Sequence, residues 1–484
     1  MKKKRWLIIG ILVVIVGLYG FLKPIPDNTN LTGTIYKVPS SDVHFLSDLT
    51  FVDDKNVRTS KQQIFDEMFS MIDKAQTYIL IDMFLYNDFL GAATESYRGL
   101  SQELTNKLIA KKQTNPDIII QVITDPLNEM YYSARTTQFQ ALRENNIPVI
   151  TTDLTKLRDS NPLYSAFWRT FIQWFGASDS GGWLPHPLQK NGQKIGLRSY
   201  LALVNFKANH RKVVMTDSAS GYSVLIASAN PHDGSSAHSN SAIRLDSQAW
   251  QDIIKGEKSV AEFSDTPFID PPELSSTVIP AQAGIQGNTN VQIITEQAIR
   301  DRLLSSINAL QKDDTLDMAM FYIADRKIIK ALKNADERGV KLRLLFDPSK
   351  DAFGRQKNGL PNRQVASELM KHTERNTQIR WCDTHGEQCH SKLTIMKSKN
   401  GYEMILGSAN LTRRNIGNFN LETNAYIQSA EKIKAFEDAY TFFNTTWNNP
   451  DGKFYSTTYD AYQDDSITKK LRYHIKEFLG TNRW

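Results

Sequence analysis

Apolar positions along the chain form a succession that occurs twice. Ile64, Met68, Met71, Ile72 and Ala75 recur at helical spacing and predict an amphipathic helix. A nearly continuous apolar run over 78–86 follows and reads as a buried strand. The same order returns with Ile299, Leu303, Ile307 and Leu310 on one helix face, then a strand-like run over 316–322. Each copy continues to a second apolar run ending in Asp-Pro, over 118–126 and 340–348. In the later copy the intervening helix, marked by Ile328, Ile329, Leu332 and Ala335, is predicted to stop at Gly339, a natural position for the residue after a helix. Helices alternating with apolar strands predict an α/β layer structure in each half.

Four stretches depart from this pattern. Residues 6–22 are apolar on every face and follow Lys2, Lys3, Lys4 and Arg5. As a helix they would span roughly 25 Å, enough for a bilayer core. The basic flank predicts a cytoplasmic N-terminus and an exported remainder. A cleaved signal peptide is the competing reading, although no small-x-small site ends the run. In the long insert between Pro126 and His210, Tyr164, Phe167, Trp168, Phe171, Trp174 and Phe175 fall at helical spacing. They predict either a helix packed on the core or an aromatic face turned to lipid. Residues 265–290, rich in Pro, Ser, Thr, Gly and Asn, read as a linker. Near the C-terminus, Ile467, Leu471, Ile475 and Phe478 share one face of a predicted closing helix, expected to be structural, with Gly480 after it.

The formal net charge is +6 over 484 residues. Five basic residues, Lys2, Lys3, Lys4, Arg5 and Lys23, lie in or beside the anchor, so the exported part is close to neutral. That weakens the case for a broad nucleic-acid-binding surface. The two cysteines, Cys382 and Cys389, would meet an oxidising compartment, where a disulfide is expected ahead of free thiols or of a metal site with His385.

The strongest match between the halves lies further along. His210-Arg-Lys212, Gly221-Tyr222 and Ser228-Ala-Asn230 recur as His390-Ser-Lys392, Gly401-Tyr402 and Ser408-Ala-Asn410, at a constant offset of 180. A repeat of this length indicates a duplicated domain. Within a strand, His and Lys two apart share a face. Imidazole serves as nucleophile or as acid and base, and lysine suits a phosphate oxygen. Two such segments facing each other would surround one phosphorus with two imidazoles and two ammonium groups. Ser228, Asn230, Ser408 and Asn410 would add hydrogen bonds to its oxygens. This supports a two-step displacement through a phosphohistidine, with no cofactor or metal required.

The pattern resembles the phospholipase D superfamily, whose signature is HxKxxxxD followed by a G/S-x-N element. The resemblance covers most of residues 40–450. It implies two α/β halves, duplicated mixed sheets flanked by helices, facing each other across one active site. The expected organisation is an anchor over 1–23, a first half over 40–264, the linker, a second half over 291–450 and a helical tail over 451–484. His210, Lys212 and Asp217 complete the first motif, in which the family's Asp is supportive rather than reactive. Lys397 stands where the second Asp belongs. Glu422 is predicted to orient His390, and the offset of 180 gives Ala242 as the counterpart beside His210. By analogy His210 is the expected nucleophile and His390 the acid and base. The resemblance implies an exported, membrane-anchored enzyme acting on phospholipid headgroup esters. A single-strand nuclease, with nucleic acid as partner, and a degenerate phosphate-binding protein are the alternatives.

Overall fold

The computed structural model describes residues 2–93, 97–176, 178, 181–219, 221–273, 287–372 and 376–481. The first half runs through α1 (Lys2–Leu22), β1 (Tyr36–Val38), β2 (Val43–Asp53), β3 (Arg58–Gln62), α2 (Gln63–Lys74), β4 (Tyr78–Met83), α3 (Leu100–Thr114), β5 (Ile119–Thr124), α4 (Thr137–Glu144), β6 (Val149–Thr151), α5 (Pro162–Phe167), a π-helical turn (Trp168–Ile172), α6 (Leu197–Leu203), β7 (Lys212–Ser218), β8 (Gly221–Ala227), β9 (Asn240–Leu245) and α7 (Trp250–Phe263). The second half has β10 (Thr289–Thr295), α8 (Glu296–Ala309), β11 (Thr315–Met320), α9 (Arg326–Glu337), β12 (Lys341–Phe346), β13 (Asp351–Ala352), β14 (Arg355–Gln356), α10 (Asn362–Met370), β15 (Thr377–Cys382), β16 (Lys392–Ser398), β17 (Gly401–Gly407), β18 (Thr423–Ser429), α11 (Lys434–Asn448), β19 (Lys453–Phe454), β20 (Ser456–Thr458) and α12 (Ile467–Leu479).

The two halves build the same mixed sheet. One has the order β2-β9-β8-β7-β4-β5-β6, the other β10-β18-β17-β16-β11-β12-β15. In both, the first four pairings are antiparallel and the last two parallel. Short strands cross over at the edges. β1 pairs with β10 of the second sheet, and β19 pairs with β2 of the first. The alternation of side chains along a strand then divides three cores. Val213 and Met215 of β7 meet Leu393 and Ile395 of β16 in a core shared by both sheets. Val214 points the other way, onto α2 and α3, and Met396 packs into the outer core of the second half.

Gly339 does end α9, with φ of 87°. The predicted linker divides in three. Residues 265–273 are held to the first half, where Ile269 O accepts from the Tyr78 hydroxyl (3.0 Å) and Gln121 Nε2 (2.7 Å). Residues 274–286 lie outside the described residues, as do 482–484 of the tail. Thr289 and Asn290 already belong to β10, because their backbones pair with β18.

Two helix readings change. The aromatic insert is not a single core helix. Trp168 joins the shared core, but Phe167, Phe171, Trp174 and Phe175 are exposed on α5 and the turns after it. The closing helix α12 forms as predicted, with Ser466 Oγ accepting from Lys469 N (3.3 Å) and Gly480 left-handed at its end. Its apolar stripe, however, faces outward.

Candidate active site

Each catalytic-type histidine lies two residues ahead of its strand, where the chain is stitched to the opposite half. His210 N donates to Leu421 O (2.9 Å), and His390 N donates to Ser239 O (2.7 Å). These bridges bring the segment after one Ser-Ala-Asn element against the other half's histidine. As a result His210 Nδ1 lies 2.9 Å from Glu422, and His390 Nδ1 lies 3.3 Å from Asn240 Oδ1. The predicted pairing of Glu422 with His390 is thus corrected: Glu422 partners His210.

The register of the repeat explains the error. Ser228 N donates to Ser241 O, and Ser408 N donates to Thr423 O. Ser241 therefore corresponds to Thr423, an offset of 182. The second half carries two extra residues between Asn410 and Glu422. The counterpart of Glu422 is Asn240, not Ala242.

Asn240 is held in one orientation, its Nδ2 donating to His238 O (3.1 Å) and its Oδ1 accepting from Ser228 Oγ (3.0 Å). Glu422 accepts from Ser408 Oγ and Asn415 Nδ2. Both partners offer an acceptor to Nδ1, so each ring carries its proton there and turns Nε2 free. Ser228 and Ser408, predicted to bind phosphate directly, are instead fully buried and spend their hydroxyls on these partners. Asn230 and Asn410 do line the cavity with both histidines.

Lys212 and Lys392 are matched in detail. Each Nζ donates to the carbonyl of its own histidine, at 2.7 Å in both halves. Each ammonium sits 5.0 Å from a ring centre, Phe84 or Phe321. Those rings also pack on the histidines, at 4.8 and 4.7 Å. Burial pushes Lys212 down to about 7 and, with the neighbouring Lys212, holds Lys392 well below the usual lysine value, Glu422 opposing in both. Burial likewise lowers His210 to about 4, against the upward pull of Glu422. His390 is pushed well down by burial, then by the neighbouring Lys392 and His238.

Sequence reasoning missed a further matched pair. Asp125 Oδ2 accepts from Asn209 N (2.8 Å), and Asp347 Oδ2 accepts from Cys389 N (2.9 Å). Each therefore fixes the residue before a histidine. Burial raises both carboxyls to about 7. The signal was the Asp-Pro that ends both matched strands. Cys389 is also joined to Cys382 in a disulfide, which ties the end of β15 to the start of the second His-x-Lys segment. His238 and Lys357 enter the cavity wall without any repeat signal.

Asp217 does not reach the site. It lies five residues along β7 from Lys212, roughly 17 Å at strand spacing. Its carboxylate accepts from the backbone N–H groups of Gln76, Thr77 and Tyr78, at 2.8–3.1 Å. It clips the turn between α2 and β4. Lys397 occupies the matching end of β16, so its replacement of Asp leaves the chemical groups untouched.

The two histidines and two asparagines line one cavity of about 410 Å³ between the halves. Among the described residues, no group of three or more His, Cys, Asp or Glu side chains is placed to hold a metal. A larger cavity of about 740 Å³ adjoins it, sharing Phe84, Leu127, Leu188 and Phe353.

Residues 303–447 match the family model described as "Cardiolipin synthase, PLD-like domain". The phosphatidylserine synthase of Haemophilus influenzae Rd KW20 has the same fold, with 11% identity and a TM-score of 0.56 over 93% of this chain and 95% of that one. Nuc from Salmonella typhimurium, a phospholipase D family member, is 21% identical over 33% of this chain and 95% of its own, with a TM-score of 0.26. No curated protein matches the chain by sequence.

Proposed function

Starting from a chain that carries the phospholipase D-like fold, we propose a phosphodiesterase or phosphatidyltransferase that acts on phospholipid headgroup esters through a phosphohistidine. The observation that carries this reading is one cavity lined by the histidines of both His-x-Lys segments, each imidazole oriented by the opposite half.

His210 is the nucleophile. Glu422 holds its Nδ1–H, which leaves the Nε2 lone pair for attack and stabilises the cationic ring of the intermediate. His390 protonates the leaving alcohol oxygen and then takes a proton from the incoming water or alcohol. An anionic phosphodiester raises the proton affinity of the buried lysines and of His390, opposing the downward push of burial. Lys212, Lys392, Asn230 and Asn410 hold the non-bridging oxygens as charge develops there.

Three features support a lipid substrate: the match to a cardiolipin synthase-like domain, the larger cavity beside the site with Phe89, Leu188 and Phe353 in its lining, and the N-terminal helix. Lys3–Leu22 is long and apolar enough to cross a membrane. We read it as a single anchor with a cytoplasmic N-terminus and an extracytoplasmic catalytic body.

The test incubates full-length protein in mixed micelles with phosphatidylglycerol and a short primary alcohol, and in parallel with single-stranded DNA. A phosphatidyl-alcohol product that His210→Ala abolishes is the expected result. DNA shortening without that product would replace the lipid reading with a nuclease. Full turnover in His210→Ala would overturn the mechanism.

A further inference from the structure

Helix α12 is packed inside out. Its buried side chains are Tyr473, whose hydroxyl donates to Ala324 O (3.1 Å), and Glu477. The apolar residues Ile467, Leu471, Ile475 and Phe478 are 83, 61, 48 and 84% exposed. A helix on a water-facing body buries such a stripe. Lys469, Lys470, Arg472 and Lys476 lie between them, giving the composition of a helix that lies in a lipid interface.

A second apolar surface sits nearby. Leu163, Phe167, Phe171, Trp174 and Phe175 are exposed on α5 and the turns after it. Both surfaces converge on α1. A Cβ at Gly17 would stand 3.2 Å from Ala166 Cβ of α5, and Asp159 N donates to Gly20 O (2.8 Å). The residue after α1 is fastened too, Lys23 Nζ donating to Thr155 O (2.6 Å) and Arg158 Nε to Lys23 O (2.7 Å). A cleft of about 950 Å³ is lined by Val14 and Leu18 of α1, Leu163 of α5 and Phe478 of α12.

Depth follows from helix rise. Gly17 lies about 8 Å, and Val14 about 12 Å, inside the end of α1 at Leu22. Elements that pack against those positions share their level. In a bilayer spanned by α1, that level is the acyl region of the leaflet nearest the catalytic body.

We propose that α12 and the aromatic face of α5 and its following turns are embedded beside α1 in that leaflet, where the basic residues of α12 meet anionic headgroups. This rests on reading α1 as a membrane anchor. Continuity with α1 and the charge of α12 identify the occupant of both surfaces as a bilayer. The embedded face lies close to the site: Arg413 lines the cleft at α1, and its neighbour Arg414 lines the catalytic cavity. Lys476 of α12 lines the cavity that adjoins it.

The test uses the full chain in vesicles of phosphatidylcholine and phosphatidylglycerol, with the native disulfide intact. A single added cysteine, Phe478→Cys, Trp174→Cys or Ile15→Cys, carries an environment-sensitive fluorophore. All three probes are expected to be quenched by nitroxides on acyl chains and shielded from aqueous iodide. Iodide access at 478 and 174, with the probe at 15 in lipid, overturns this inference while leaving the anchor intact. Iodide access at all three overturns the anchor reading as well. Replacing Lys469, Lys470 and Arg472 with Glu should expose the 478 probe to iodide in these vesicles. Unchanged shielding there overturns the role given to anionic headgroups.

Discussion

At the scale of single residues, the two histidines differ in the group that orients them. His210 has a carboxylate and His390 an amide, each delivered by the other half. Replacing Glu422 with Gln should lower kcat/KM by about 10²–10³-fold. The carboxylate raises the proton affinity of His210, so its loss should also move the acid limb to lower pH. A pH profile with a chromogenic phosphodiester checks both effects; an unmoved limb with full activity would refute the pairing. A second residue reports on stability. Burial lowers His232 to about 4, whereas an unfolded imidazole titrates near 6.5. Between those values the unfolded chain binds more protons, so this contribution is full above 6.5 and is lost as pH falls toward 4. The stability gap between parent and His232→Gln should therefore narrow by roughly 2 kcal/mol from about pH 7 to about pH 4.5, read from denaturant unfolding. The histidines, lysines and asparagines were legible because they recur at one spacing. The partnership of Glu422 was not, because a two-residue length difference breaks that spacing and the contact joins residues 212 apart.

At the scale of elements, periodicity located the central strands and helices but not what each one faces. The stripe on α12 is legible in the sequence, yet the same pattern suits a protein core and a bilayer equally. The motif residue Asp217 illustrates the converse. Its spacing placed it with the catalytic set, while the length of β7 carries it to the far end of the sheet. There it satisfies the backbone of the turn between α2 and β4. Asp217→Ala should destabilise the protein by about 1–3 kcal/mol through those unpaired N–H groups, with kcat/KM changed less than about threefold. Thermal unfolding and steady-state kinetics on one preparation separate the two effects. A large loss of kcat at unchanged stability would return Asp217 to the site.

At the scale of the whole molecule, the duplication makes neither half sufficient. β1 and β19 are exchanged between sheets, the two sheets share one core, and each histidine is oriented by the other half. Residues 287–481 produced alone should therefore show no diesterase activity, and residues 2–273 none either; turnover by one of them would contradict a shared site. The alternating pattern made the two layers and their repetition legible. Their mutual embrace was not, because it depends on edge pairings of two or three residues that carry no periodic signal.

The central claim is that one cavity carries out a two-step displacement with His210 as nucleophile. The most direct measurement is to trap the intermediate in full-length His390→Ala, where attack can proceed with an activated diester but release of the phosphorus group is slowed. Peptide mapping by mass spectrometry under alkaline conditions, which preserve phosphohistidine, should place the adduct on His210. An adduct on any other residue, or full turnover by His390→Ala with no adduct, would contradict it.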